Sequence, residues 1–428
     1  MIRLLQIPEI AVLKALTFDG RLLLATRSVR LFAYGFLAVV LALYLATLGL
    51  NPAQIGLLLS LTLAGDVILT LVVASMADRL GRQRMLALSG GLILFAGLAL
   101  AISDHLIIVI IAAIVGTVSP GGGEVGPAAA LEQAALPQTV PDTARTAVFA
   151  WYNLVGSFAT AVGALAGGLL VGGLLQSGID ALLSYRLILV GYALCGALLI
   201  GLAARLSPAV EAPRQAGRPP ANAKIQPWLG LTHSRGLVLR LAALFALDAF
   251  AGGLVLQSLL AYWFNVRFGT SPVLLGAIFF GANLFAGCSA LAAARVAERI
   301  GLLNTMVWTH IPSNILLILV PLMPTLPLAI GVLLLRFSIS QMDVPTRQSY
   351  LAAVVEPDER AAAAGVTMTA RTLGITLAPM LSGALLGLGW LSAPFFIGGV
   401  LKIVYDLALY RSFQAIEPPE EQLHKSTV

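Results

Sequence analysis

Ala77-Asp78-Arg79-Leu80-Gly81-Arg82-Gln83-Arg84 closes one long apolar run, and Ala297-Glu298-Arg299-Ile300-Gly301 closes another 220 residues later, from 78 to 298. The match is not isolated. Asn51-Pro52 with Gly56 is answered by Ser271-Pro272 with Gly276 at the same spacing. Glu124-Val125 ahead of Pro127 is answered by Asp343-Val344 ahead of Pro345. Pro141-Asp142 with Arg145 corresponds to Pro357-Asp358 with Arg360, and Gly163-Ala164-Leu165-Ala166-Gly167-Gly168 to Ala378-Pro379-Met380-Leu381-Ser382-Gly383. Matches that keep one order along the chain mark a duplicated unit. Parallel repeats of apolar helices are a transporter architecture.

The composition names the solvent around those helices. The chain has 428 residues, 59% hydrophobic and only 11% charged, with mean hydropathy +0.93. Soluble chains carry roughly 25% charged residues, so this much apolar sequence faces lipid. In lipid only helices or closed barrels satisfy their own backbone. The apolar runs are long and continuous, without the alternation of a barrel strand, so the chain is helical. Net charge is +6 with pI near 9.5. Basic loops at the cytoplasmic face account for it, and a nucleic-acid partner is not expected. Residues 1–20 read as a short amphipathic cytoplasmic lead rather than a cleaved signal. Cys195 and Cys288 both fall in apolar runs and read as packing residues. No G-x-x-x-x-G-K-[ST], H-E-x-x-H or G-x-S-x-G pattern occurs, so neither ATP, a metal, another cofactor nor a hydrolase activity is expected.

Segments of about 20 apolar residues cross a bilayer. Twelve are legible: 29–48, 53–74, 85–103, 106–133, 148–171 and 185–204, then 237–264, 272–294, 304–323, 326–352, 361–386 and 394–410. The expected fold is an all-α membrane protein, its twelve transmembrane helices forming two six-helix bundles related by a pseudo-twofold axis. Residues 1–204 form the first bundle. Residues 205–236, rich in proline, form a cytoplasmic linker. Residues 237–428 form the second bundle with a short cytoplasmic tail. Basic residues gather in alternate loops: Arg79, Arg82 and Arg84; Arg145; Arg205, Arg214, Arg218, Lys224 and Arg235; Arg295 and Arg299; Arg360. The positive-inside rule then places both termini in the cytoplasm of a multi-pass protein, in a bacterial-type inner membrane or a plasma membrane.

With these features in hand, the chain resembles the major facilitator superfamily over nearly its whole length. Residues 77–84 carry the most specific part of the likeness, the signature loop between spans two and three. The resemblance implies alternating access between two bundles. It also implies a gating role for Asp78, Arg79, Gly81, Arg82 and Arg84, with Glu298 and Arg299 as their second-half counterparts. The bland alternative is that the arginines only fix topology. In the second half Leu302 and Leu303 stand where basic residues would follow. The family's arginine of span four is not evident near Thr117, whereas Arg336 sits at the corresponding place in span ten.

Ionisable groups at membrane depth cost roughly 2.5–3.5 kcal/mol or more each, and usually face a cavity or a partner. The candidate proton or substrate sites are Asp66, Glu124, Asp248, Asp343, Arg336, Arg347 and Arg371. Glu124 lies in Gly121-Gly122-Gly123-Glu124-Val125-Gly126-Pro127, where glycine and proline loosen the helix, and Asp343 is its repeat partner. Asp343 and Arg347 are four apart and can pair on one helix face. Asp248 has Arg27, Arg30 or Arg371 as possible partners. Glu132, nearer the cytoplasm, is a further intramembrane candidate, with a solvated helix end as its bland reading. Lys402 and Asp406, also four apart, read as an intrahelical pair. His310 reads as a hydrogen-bonded side chain.

These features suit a secondary transporter that moves a small solute, coupled to protons, with export favoured by the family resemblance. Uptake by symport, facilitated passage of a small organic anion or metabolite, and a non-transporting sensor on the same fold are the alternatives. A membrane-embedded lipid enzyme would need a clustered nucleophile or metal set, which is not found. Besides the solute and protons, the expected partner is membrane lipid, and the expected state is a monomer.

Overall fold

Each apolar run becomes a helix in the computed structural model, which describes residues 16–123, 126–139, 145–211, 231, 233–356 and 358–414. In the first half these are α1 (Phe18–Ala38), α2 (Leu41–Thr47), α3 (Pro52–Leu80), α4 (Arg82–Ile102), α5 (Leu106–Val115), α6 (Pro127–Ala135), α7 (Arg145–Gln176) and α8 (Ala181–Ala203). In the second they are α9 (Arg235–Gly253), α10 (Gln257–Phe268), α11 (Pro272–Ile300), α12 (Leu302–Leu319), α13 (Leu326–Phe337), α14 (Asp343–Val354), α15 (Arg360–Gly387) and α16 (Ala393–Phe413). No strand occurs among the described residues. Among the described residues eight segments are long and apolar enough to cross a membrane, and the bent pair α1–α2 makes a ninth. The shorter apolar helices α5 and α13, together with α15, complete the twelve spans. Rows of exposed leucine and isoleucine, among them Ile68, Leu71, Leu373 and Leu377, suit a surface that meets lipid chains.

Local chemistry sets the helix ends. Asn51 and Gln54 form a reciprocal capping box at the start of α3, at 3.0 and 2.9 Å, with Pro52 in the first turn. Gly81 ends α3 at φ 94°, and Gly301 ends α11 at φ 85°. Both lie in the left-handed region that favours glycine, so the repeated motif turns the chain in the same way in both halves.

Two compact units divide the chain: Met1–Arg214 with Gln257–Asn283, and Gln215–Leu256 with Leu284–Val428. Within the first, α1 packs on α7 and α4 on α8; within the second, α9 packs on α15 and α12 on α16. In span order these are one with five and three with six, then seven with eleven and nine with twelve. The repeat seen in sequence is thus a repeat of packing. Glycines make the close approaches possible. A side chain at Gly35 would run into the Thr160 backbone, one at Gly163 into Phe32, and one at Gly374 into Ala246. Without a hydrophobic drive between helices in lipid, such backbone contact supplies the attraction.

Several spans are broken where a continuous helix was expected. α1 and α2 meet at a bend of 43°. Span four, read as 106–133, stops at Val115 and restarts at Pro127. Between them lie Gly116, Pro120 and the Gly121–Gly123 run, and Thr117 holds φ 48°. Span ten breaks between Phe337 and Asp343, and span seven between Gly253 and Gln257. Freed carbonyls in such breaks need donors. In the first unit Ser258 supplies two. Its amide reaches the Pro120 carbonyl at 3.0 Å, and its hydroxyl lies 2.8 Å from both that carbonyl and the Ala38 carbonyl.

The close approach of α1 and α7 yields a prediction. Gly163→Leu should lower the thermal midpoint of the detergent-purified protein, with an overpacking cost of about 1–3 kcal/mol. Gly173→Ala, which meets open space, should leave it unchanged. Equal midpoints for both variants would contradict this packing.

Candidate functional site

In the first unit the polar interior grows from one face of α1. Arg27, Arg30 and Tyr34 follow each other at three- and four-residue steps and so share a face. The Arg30 guanidinium donates to Glu132 Oε2 at 2.6 Å, and both side chains are 1% exposed. Tyr152 donates to the same oxygen at 2.8 Å. Arg27 stacks over the Tyr152 ring, 3.5 Å from its centroid, and donates to Asn153 Oδ1 at 3.3 Å. Glu132 is therefore not the solvated helix end that its sequence position suggests. The break before Pro127 makes α6 a separate helix, and Leu131 and Glu132 both lie buried within it. A cavity about the size of one water, lined by Thr26, Arg30, Ser89, Gly90 and Glu132, adjoins the pair.

Asp66 lies midway along α3, only 8% exposed. Its Oδ1 has no hydrogen-bond partner among the described residues, and neither has Thr117 Oγ1. The Gly126 amide addresses the Asp66 carboxylate. Tyr34 Oη, Asp66 Oδ1 and Thr117 Cβ all lie 3.4–3.6 Å from where a side chain at Gly126 would begin. The broken span four thus brings Gly126 and Thr117 together with Tyr34 against Asp66. Glu124, in the same break, lies outside the described residues.

In the second unit Asp248 is the centre. Lys402 donates to its Oδ1 at 2.5 Å, and Arg371 and Arg347 to its Oδ2 at 3.0 and 3.3 Å. Arg347 also pairs with Asp343 at 2.9 Å, the i,i+4 pair that the spacing allows. Of the partners read from sequence for Asp248, the structure shows Arg371 and adds Arg347 and Lys402. Arg336 ends α13 nearby. It is buried, its Nε has no partner among the described residues, and its guanidinium carbon stands 4.9 Å from the Phe337 ring centroid. The expected intrahelical pair of Lys402 and Asp406 is not formed. Lys402 turns to Asp248. Asp406 instead meets His310 Nδ1 at 2.8 Å and accepts from Asn314 Nδ2 at 3.0 Å. Partners on α9 and α12 reach these groups with better geometry than neighbours on their own helix.

The turn at Gly81 is held by a carboxylate from far along the chain. Glu211, just after span six, accepts the amides of Arg82 and Gln83 at 2.6 and 3.1 Å. A carboxylate thus caps the start of α4, where the helix dipole favours negative charge. The Arg82 guanidinium reaches the carbonyls of Ala134 and Val210, both at 3.3 Å, and Gln83 reaches those of Ala204 and Leu206. Asp19 accepts from the Ser207 amide and hydroxyl. Arg79, Arg84, Glu298 and Arg299 are exposed. Asp78 is helical, and its side chain lies outside the described residues. In the second unit Glu359 caps the entry to α9, accepting from His233 and Ser234 amides at 2.8 Å each. Neither Glu211 nor Glu359 carries a local signal in the sequence, because each acts on a helix start more than a hundred residues away.

Breaking the Arg30–Glu132 pair strands a buried charge. Glu132→Gln or Arg30→Gln should destabilise the protein by about 3–5 kcal/mol, read as a marked drop in thermal midpoint in detergent. Tyr152→Phe should cost less. A Glu132→Gln midpoint equal to that of the parent would refute a buried ionic pair.

Comparison with known proteins adds the lineage. The sequence profile described as Major Facilitator Superfamily matches residues 23–342 and, again, 268–427. An uncharacterized membrane protein of Saccharomyces cerevisiae, YJR124C, is 29% identical over 436 residues, covering 96% of this chain and 97% of its own. Among solved structures, the nucleoside transporter NupG aligns with TM-score 0.71 at 16% identity over 93% of this chain and 99% of that one. A D-xylose-proton symporter aligns with TM-score 0.71 at 16% identity over 91% and 97%. At those identities the two structures speak for the fold.

Proposed function

The chain belongs to the major facilitator superfamily, and from that premise we propose that it is a proton-coupled secondary transporter that exports a small solute by alternating access. The single observation that carries the coupling is Asp66. It is a carboxyl at membrane depth, buried, with one oxygen left without a hydrogen-bond partner beside a broken helix. A structural carboxyl at that depth would be fully paired, as Asp406 is. An oxygen held open is available to a proton. Glu124, in the sequence of the broken span four, and Asp343 complete the proposed set of acids. Arg336, Arg347, Arg371 and Asp248 form the proposed solute-facing set.

The loop around Gly81 supports a gating role. Its helix start, its arginine and its glutamine are all held by the segment that follows span six. Contacts of this kind, made by amides and carbonyls at helix ends, can break and reform without unfolding either helix. In this reading Asp78, Arg79, Gly81, Arg82 and Arg84, with Glu298 and Arg299, work at the cytoplasmic face. The export direction rests on family resemblance. The protein would act as a monomer in a plasma membrane or bacterial inner membrane, with both termini in the cytoplasm and with lipid as its only standing partner.

Proteoliposomes test the coupling. With a solute found by counterflow, Asp66→Asn should abolish transport driven by a proton gradient, at least about tenfold below the parent, while solute exchange persists. Glu124→Gln and Asp343→Asn should fall in the same direction. Normal gradient-driven transport in all three variants would rule out this scheme. Uptake into right-side-out vesicles in place of efflux would reverse the direction.

A further inference from the structure

Among the described residues the second unit holds four cations at membrane depth, Arg336, Arg347, Arg371 and Lys402, against three carboxylates buried at that depth, Asp248, Asp343 and Asp406, the buried Glu359 being taken up at the entry to α9. Asp406 is engaged by His310 and Asn314, not by any of the four. Two carboxylates therefore serve four cations. Three of the cations crowd onto Asp248, and one of these, Arg347, also takes Asp343.

Arg336 is the cation left over. Only 8% of it is exposed. Its side chain makes no hydrogen bond or ion pair among the described residues, and its Nε is buried without an acceptor. A ring face at Phe337 is its nearest compensation. The acids that act on it electrostatically are Asp248 and Asp343, both already committed. A buried guanidinium in this position bears the desolvation penalty without the pairing that offsets it. Arg371, also centred on Asp248, is 27% exposed and the most accessible of the four. Both residues offer the planar fork of donors that fits a carboxylate or phosphate edge.

We propose that the solute is a small organic anion, whose carboxylate or phosphate oxygens are received by Arg336 and Arg371, while Asp248 holds the cations together until the solute arrives. This deepens the transporter reading and rests on it. A cationic solute would enter a site whose excess charge is already positive. A neutral solute would leave Arg336 unpaired. An anion supplies the missing acceptor and competes with Asp248 for Arg371.

The full chain in detergent, screened by thermal shift with matched probes, tests this: phenylacetate, phenyl phosphate, succinate and citrate against phenethylamine, 2-phenylethanol and xylose. Stabilisation should be confined to anions. Arg336→Gln and Arg371→Gln should weaken binding of the best anion at least about tenfold, the loss of a charge-assisted pair. Arg336→Lys, which keeps the charge but not the fork of donors, should weaken it less. Asp248→Asn should tighten it severalfold, an effect that loss of structure alone would not produce. Stabilisation only by the amine or neutral probes, no anion that stabilises, or unchanged anion affinity in both arginine variants would overturn the proposal. Counterflow in liposomes separates the two readings. Exchange of a neutral or cationic solute would keep the transporter and sink the anion. Anion binding without any exchange would do the reverse.

Discussion

Hydrocarbon does not solvate an unpaired polar group, and nearly every feature of this protein follows from that. It makes the backbone helical, since only a helix bonds all of its own amides and carbonyls within one span. It also explains where helices are allowed to stop. The breaks in spans one and four fall beside Ser258, which bonds carbonyls from both. The turn at Gly81 falls where Glu211 can receive the amides of the next helix. Irregular backbone occurs where another part of the chain can complete its hydrogen bonds.

The same constraint organises charge. In each unit a single carboxylate gathers partners from several helices. Glu132 draws Arg30 from α1 and Tyr152 from α7. Asp248 draws Arg347, Arg371 and Lys402 from α14, α15 and α16. Such clusters pull helices into register and resist separation, because removing one member leaves the rest charged and buried. The two units differ in balance. The first leaves an acidic oxygen open at Asp66, and the second leaves a guanidinium open at Arg336. Groups that a purely structural design would have satisfied are where function is most reasonably sought.

Close helix contact supplies the remaining cohesion. Gly35, Gly163 and Gly374 bring backbones together in pairs that recur in the two units. Many leucines and isoleucines, among them Ile68, Leu71, Leu373 and Leu377, are left to face outward, since packing them inward gains little in a solvent as apolar as themselves.

The apolar runs and the repeat offset determined the helical class and the twelve spans, whereas tertiary contact groups Gln257–Asn283 with the first unit rather than with the second-half sequence around it. Those signals are local: a run of twenty apolar residues, a glycine at a turn or a proline at a helix start has the same meaning wherever it occurs. The i,i+4 pair of Asp343 and Arg347 was legible for the same reason. Tertiary structure alone decided that Glu132 is buried, that Lys402 serves Asp248 rather than Asp406, that Glu211 and Glu359 cap distant helices, and that Arg336 has no acceptor. Spacing along one helix shows which neighbours a side chain can reach, but in a bundle the better partner often sits on another helix, and a buried charge goes to whichever partner repays its lost solvation.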